Sequence, residues 1–137
     1  MDETSQPIVT QEIRIVDEQG QPRLLLSAKG GKPKVQLLRS DGEIGSEVSL
    51  DADGLPAVKL ANADPNGPMA VIEIDEKGAH VKLDGLGGAS SYLFLNNAGG
   101  SGIVLLDTRG IRRLNAVIAS DGAAKIERFG PDGELVP

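Results

Sequence analysis

The sequence has no cysteine and no tryptophan, and its 137 residues include one tyrosine, two phenylalanines and one histidine. Without cysteine the chain has no disulfide, no thiolate zinc site and no cysteine nucleophile. Because His80 is the only histidine, a metal site built on a pair of histidines is excluded. The scarcity of aromatic residues predicts that the apolar side chains pack as an aliphatic set.

Long apolar runs and helical periodicity are also missing. No apolar stretch approaches the roughly 20 residues that a membrane-spanning helix needs. The N-terminal stretch 1–7 lacks the basic and then apolar order of a signal peptide. Gly or Pro interrupts every stretch long enough for a helix of ordinary length. We therefore expect essentially no helix, no membrane partner and, by default, a cytoplasmic location.

The chain is acidic, with a formal net charge of −6 at pH 7. An acidic surface repels the phosphate backbone, so the composition predicts no nucleic-acid partner. Its 18 glycines and eight prolines lie mostly between short apolar runs, which is where tight turns require them.

A unit of strand, turn, strand and turn recurs at a period of 22 to 23 residues. Overlaying the first strand of each unit gives one aliphatic column, made of Ile13, Val35, Val58, Val81, Val104 and Ile126. A companion column two residues further on contains Ile15, Leu37, Leu60, Leu83 and Leu106, with Arg128 in the last unit. A fixed period of this kind is typical of repeat architectures. It predicts six hairpins, or twelve short strands.

Turn chemistry supports the hairpins. The form Asp-x-x-Gly occurs at 17–20, 51–54, 75–78 and 107–110. Asp accepts hydrogen bonds from its own turn, and Gly adopts positive φ. Between turns, alternation places polar residues opposite the column: Arg14, Lys34, Gln36, Lys59, His80, Lys82, Lys125 and Glu127. We expect one buried apolar face and one solvated face.

These patterns predict an all-β domain at 12–137, preceded by a flexible tail at 1–11. A round barrel of twelve strands would have an interior too wide for Val and Leu to fill. The predicted closed form is therefore a β-trefoil-like barrel or a flattened sandwich of antiparallel strands. The alternative is an elongated hairpin array.

Two units share a fuller pattern, apolar-x-apolar-x-Asp-x-x-Gly-x-x-Arg-x-x-apolar. They run from Ile15 to Leu26 through Asp17, Gly20 and Arg23, and from Leu105 to Ala116 through Asp107, Gly110 and Arg113. In this the chain resembles bacterial proteins built of tandem β-hairpin repeats, to which no activity is assigned. In the middle units Ala57 and Val81 stand at the Arg position. The resemblance implies a fold type and no functional residue.

One loop has the spacing of a calcium site. Asn62, Asp64 and Asn66 would supply oxygens at positions 1, 3 and 5 of an EF-hand loop, and Glu73 falls at position 12. However, Pro65 interrupts the pattern, and the same residue types make ordinary hairpin turns. We interpret the stretch as a turn, with calcium as the alternative, and predict no metal or cofactor.

No combination of catalytic groups stands out. A general base needs a partner and a cleft, and the sequence pairs His80 with neither. We therefore expect a solvated surface histidine. The basic stretch 29–34 superficially suggests phosphate binding, but no helix follows it. We predict that the protein is not an enzyme.

A protein-contact surface is predicted near the fifth unit. The stretch 102–106 is apolar on both faces, and three arginines follow it. Apolar side chains beside Arg suit a protein interface, whereas charges at a β-edge also prevent aggregation. The predicted contact residues are Ile103, Leu105, Arg109, Arg112 and Arg113.

The sequence thus predicts a non-enzymatic structural or protein-binding module whose partner is itself or another protein. The alternative is a small-ligand or carbohydrate-binding, lectin-like domain. Sugar rings usually stack on an aromatic side chain, and Tyr92 is the candidate for that role.

Overall fold

The computed structural model describes residues 5–137 and consists of one antiparallel sheet of twelve strands. The strands are β1 Glu12–Val16, β2 Pro22–Ser27, β3 Lys34–Leu38, β4 Ile44–Leu50, β5 Pro56–Leu60, β6 Met69–Ile74, β7 Gly78–Asp84, β8 Ser90–Asn96, β9 Ser101–Leu106, β10 Arg112–Ile118, β11 Ala124–Phe129 and β12 Leu135–Val136. Two single 3₁₀ turns occur at Lys29–Gly31 and Leu86–Gly88. Twelve antiparallel strands and an almost complete lack of helix are therefore confirmed for residues 5–137. Within the described residues, no helix has the length and apolar character to cross a bilayer.

Each strand pairs only with its neighbours in sequence, in the order β1 to β12. The sheet is open, with β1 and β12 as its edges, so the hairpin array is confirmed and the sheet does not close into a barrel. Closure would require β12 to pair with β1, and β12 contains only two residues. The domain limits at 1–11 and 12–137 stay a prediction. Residues 1–4 of that tail lie outside the described chain, and 5–10 are exposed.

Seven turns share one hydrogen-bond pattern. The N–H of the first residue donates to the carbonyl oxygen of the fifth. The N–H of a Gly at the fourth position donates to the carbonyl oxygen of the first. These turns are 17–21, 39–43, 51–55, 96–100, 107–111, 119–123 and 130–134. The fourth-position Gly has φ between +78° and +94°, the left-handed conformation of a type I turn closed by a bulge. This turn fixes the register of each hairpin.

One face of the sheet is apolar. A continuous cross-strand row passes through Ile13, Leu26, Val35, Val48, Val58, Ile72, Val81, Leu93, Ile103, Ala116 and Ile126. A second row beside it includes Arg128, which pairs with Leu114 on one side and with Val136 on the other. Arg128 is the only charged residue in these two rows.

The expectation that the apolar face is buried is wrong. No hydrophobic residue among the described ones is buried, and Val48 and Leu93 are 54% and 52% exposed. The reason is architectural, because a single-layer sheet contains no second layer against which this face could pack.

The alignment that placed Val104 of the fifth unit in the aliphatic column is also wrong by one residue. Ile103 pairs with Leu93 and therefore continues the apolar row, whereas Val104 pairs with Tyr92 on the opposite face. Leu105 and Leu106 follow the same alternation. Since the stretch 102–106 is apolar throughout, alternation alone could not select the correct register.

The opposite face, here called the polar face, is better covered than the apolar one. Its residues Ser27, Gln36, His80 and Asn115 are all at most 9% exposed. Neighbouring side chains provide the cover; Gln36, for example, donates from Nε2 to Glu47 Oε2 at 2.5 Å. The polar assignment of this face from the sequence is confirmed.

Candidate functional site

Three rings form a cluster on the polar face. Tyr92 and Phe94 lie two residues apart on β8, stacked with centroids 5.5 Å apart and planes inclined by 26°. His80, on the adjacent β7, lies 5.3 Å from Tyr92 at a tilt of 48°. Opposite Phe94 stands Gly102. A Cβ there would lie 2.7 Å from the carbonyl oxygen of Ala116 and 3.0 Å from Phe94 Cζ, so the glycine leaves the space that the Phe94 ring fills.

His80 is a buried and paired histidine. Its Nε2 lies 2.7 Å from Glu73 Oε1, and its Nδ1 lies 3.8 Å from Asp75 Oδ2. Its side chain is 8% exposed, so the expectation of a solvated histidine is wrong. Hydrogen bonds from the backbone N–H groups of Lys77 and Gly78, with the nearby His80, lower the pKa of Asp75.

A recess of about 750 Å³ opens beside the ring cluster. Strands β6 to β10 supply most of its lining, which includes Tyr92, Asn115 and Arg112. Three carboxylates, those of Glu73, Asp75 and Asp84, face two permanent cations, Lys82 and Arg112. Lys82 pairs with Asp84 at 3.4 Å.

Asn115 lines this recess and has an unsatisfied acceptor. It is 6% exposed, and its Oδ1 accepts no hydrogen bond from any described residue. Its strand neighbours on the polar face are Val104 and Glu127. Leaving a buried carbonyl oxygen unpaired costs about 1–3 kcal/mol, so such an atom requires an explanation.

Along its strand, Tyr92 has a large neighbour on one side and a small neighbour on the other. Phe94 stacks on one side of the ring, and Ser90, two residues before Tyr92 on the same face, is small. Ser90 pairs with Asp84 on one side and with Leu106 on the other. The ring, the carboxylate of Asp84 and the recess therefore lie together.

The residues predicted to form one protein contact are distributed over both faces. Ile103 and Leu105 lie on the apolar face, 43% and 36% exposed. Arg112 lines the recess on the polar face. Arg109 lies in the turn 107–111, where its Nη2 donates to the carbonyl oxygen of Pro131 at 2.6 Å. Their participation in a protein contact stays a prediction.

Arg113, the fifth of those residues, stabilises its own hairpin turn and links it to the next hairpin. Its Nη1 lies 3.4 Å from Asp107 Oδ2. Burial opposes ionisation of Asp107, but the backbone N–H groups of Arg109 and Ile111, together with the Arg113 and Arg109 side chains, lower the pKa of the carboxyl. The Asp and Arg of the Asp-x-x-Gly-x-x-Arg pattern thus have a structural role, because they interact with each other in the folded chain.

The calcium-like loop uses its oxygens internally. Asn62 Oδ1 accepts the N–H of Asp64 at 3.0 Å, and Asp64 Oδ1 accepts the N–H of Asn66 at 2.9 Å. Glu73 lies on β6, where it pairs with His80 instead. Across residues 5–137, no group of three or more His, Cys, Asp or Glu side chains is arranged to hold a metal ion. In the basic stretch, Lys29 pairs with Glu12 at 3.2 Å.

Sequence reasoning missed the pairing of Glu73 with His80, although a signal was present. Counting outward from the turn 75–78 places Ile74 opposite Ala79 and Glu73 opposite His80. The buried Asn115 had no comparable signal, because nothing in its neighbourhood along the chain indicates that it lies in a recess.

No protein-family model matches the sequence, and no curated protein is significantly similar to it. The surfaces described above are therefore the basis for inferring a function.

Proposed function

We propose that the protein is a non-enzymatic structural module whose apolar face packs against the same face of a second copy. The observation that carries the proposal is the absence of any buried hydrophobic residue among those described. Stable domains usually consist of two packed layers, because apolar burial must offset the conformational entropy lost on folding. A second sheet supplies the missing layer.

The area of the face fits a stable dimer. Its main apolar row crosses eleven strands. At about 4.8 Å between strands the row spans about 48 Å, and five residues per strand give a width of about 17 Å. The resulting area, on the order of 800 Å², equals what each partner contributes to an interface of standard size.

The second row of the face indicates why the partner is another copy. Large and small residues alternate along seven consecutive strands: Leu37, Ser46, Leu60, Ala70, Leu83, Ser91 and Leu105. A copy related by a two-fold axis and displaced by one strand would place three of these four leucines over a serine or an alanine. Alternation of this kind lets two layers interdigitate. A two-fold interface requires such a self-complementary surface.

Charge distribution is compatible with this assembly. The chain has a net charge of −6. Only Arg128 is charged within the two apolar rows, so the acidic groups of residues 5–137 lie on the polar face and in the turns. Two copies would therefore meet through surfaces without opposing carboxylates.

Size-exclusion chromatography with light scattering tests the proposal. The wild-type protein is expected to show about twice the chain mass of 14.3 kDa. The double variant Ile72→Glu/Leu93→Glu places carboxylates in the main row, at residues that are 51% and 52% exposed in the single chain. We expect it to lose the dimer because burying unpaired carboxylates is costly.

Ser49→Glu is the matched control. It introduces the same side chain on the polar face, opposite Lys34, and should leave the dimer intact. A wild-type protein that is folded and monomeric at all concentrations would overturn the proposal. So would a double variant that remains dimeric.

We also propose that the chain is related to the tandem hairpin-repeat proteins that its sequence resembles. The geometry of the pattern supports this, because the Asp and Arg that carry it interact in both units. Arg23 lies 3.5 Å from Asp17 in the first unit, and Arg113 lies 3.4 Å from Asp107 in the fifth.

A further inference from the structure

The recess on the polar face combines an aromatic ring, a buried unpaired acceptor and an excess of carboxylates. From this combination we infer that it binds one ring of a neutral saccharide, stacked on Tyr92 and hydrogen-bonded to Asn115 and Asp84. This goes beyond the proposed dimer, which uses the opposite face of the sheet.

The stacking surface is the side of Tyr92 that faces away from Phe94. The rings of Phe94 and His80, whose centroids lie 5.5 Å and 5.3 Å from that of Tyr92, restrict the motion of the tyrosine ring. A restrained ring loses little entropy when a ligand binds. Because Ser90 is small, a sugar ring can approach along β8 and place the C–H groups of one of its faces against the aromatic ring.

The hydrogen-bond partners suit hydroxyl groups. Asn115 Oδ1 is a buried acceptor without a donor, and a sugar hydroxyl that reaches it by displacing the side chains around it can supply the missing proton. Asp84 accepts further hydroxyl protons, while the five N–H donors of an arginine such as Arg112 match hydroxyl oxygens. A few polar groups placed around an apolar wall are typical of small-molecule sites.

The balance of charge selects a neutral ligand. Glu73, Asp75 and Asp84 outnumber the permanent cations Lys82 and Arg112, and even with His80 counted as a cation the recess has no net positive charge. Hydrogen bonds from the backbone keep the pKa of Asp75 low, which favours its charged form. A phosphate, sulfate or carboxylate ligand would meet this excess of negative charge, whereas a polyhydroxylated ring would not.

Tyrosine fluorescence gives a direct test. Tyr92 is the only tyrosine and the chain has no tryptophan, so the intrinsic emission reports on this one ring. Titration with the methyl glycosides of glucose, galactose, mannose and N-acetylglucosamine is expected to change that emission saturably for at least one of them. In ¹H–¹⁵N NMR spectra, the same glycoside should shift the resonances of Ser90, Tyr92 and the Asn115 side-chain amide.

Three variants distinguish the contribution of ring stacking to the affinity from the contribution of the polar groups. Tyr92→Ala should weaken binding about tenfold or more because the stacking surface is lost, whereas Tyr92→Phe should retain most of it. Asn115→Ala should also weaken binding, since its Oδ1 is the buried acceptor. NMR shift titrations measure all three affinities, and the dispersion of each spectrum verifies that the variant is folded.

Three outcomes would overturn the inference. The first is the absence of saturable binding by any of these glycosides. The second is binding that a folded Tyr92→Ala variant retains in full. The third is a stronger response of the same resonances to inorganic phosphate, which would identify an anion site instead. None of these readouts depends on dimer formation, so the two proposals can fail separately.

Discussion

Arg113 links two neighbouring hairpins by donating from Nε to the carbonyl oxygen of Phe129, 2.8 Å away. Phe129 ends β11, while Arg113 follows the turn that leads into β10. In the first unit, Arg23 donates in the same way to the carbonyl oxygen of Leu38 at 2.9 Å. The bond therefore joins successive units and does more than stabilise a single turn.

Replacing Arg113 with Lys should lower the free energy of unfolding by about 1 kcal/mol, because lysine lacks the separate, rigidly spaced nitrogens that donate to Phe129 and Asp107. The figure is at the low end for charged hydrogen bonds because Arg113 is partly exposed. Urea denaturation measures the change. Arg112→Lys, one residue earlier, should leave the urea midpoint unchanged. If the two variants changed the urea midpoint equally, the proposed role of Arg113 in linking the two hairpins would be contradicted.

Acid should weaken the turns that Asp17 and Asp107 stabilise. Hydrogen bonds from Gln21 and Gln19 lower the pKa of Asp17, and the pKa of Asp107 is also lowered. Both folded-state values lie below the unfolded ones, so this stabilisation is complete above about pH 4 and is lost as the pH falls through the folded values. Urea midpoints between neutral and acidic pH should reveal the loss.

The double variant Asp17→Asn/Asp107→Asn should be less stable at neutral pH and should lose less stability on acidification. Asp53→Asn is the control, since the Asp53 side chain makes no hydrogen bond with a described residue. If the double variant and wild type showed parallel acid profiles, these carboxylates would not be the source of the pH dependence.

The shared turn depends on its glycine. Gly20 has φ +79°, a conformation that costs a residue with a Cβ about 1 kcal/mol, although nothing lies within 4 Å of the added atom. Gly20→Ala should reduce stability by about that amount in urea denaturation. Gly45→Ala is the matched control because Gly45 has no positive φ and its new Cβ would lie 3.5 Å from the Leu37 oxygen, an ordinary contact. A larger loss in Gly45→Ala would contradict the explanation.

Dimer formation should make thermal stability depend on protein concentration. A partner that binds only the folded chain raises the unfolding temperature by mass action. Differential scanning calorimetry at increasing protein concentration should therefore give a rising Tm for wild type and for Ser49→Glu. A concentration-independent Tm in both proteins would exclude a dimer that stabilises the fold.

Local chemistry was enough to predict strand number, strand direction and the position of most turns. Asp and Gly at fixed offsets encode the turn directly, as in 17–20 and 107–110. The apolar period then supplies the strands between the turns. Because all these signals lie within one unit, they can be read without knowledge of the whole fold.

The remaining features depend on relationships that alternation does not encode. Ile103 and Val104 are equally apolar, and only the bulged turn at 96–100 decides which of them joins the row of Leu93. Whether a sheet closes depends on its two distant edges. Similarly, the recess forms where five strands meet, so its buried Asn115 looks like any other strand residue in the sequence.

Because every strand pairs only with the strands before and after it, the whole topology consists of contacts that are local along the chain. Folds of this kind reach the native state quickly, since each pairing closes only a short loop. The same property makes the number of hairpins variable. Removing one internal hairpin would shorten the apolar rows by about 10 Å while leaving the other pairings unchanged. The length of the sheet would then determine which copies can cover one another completely.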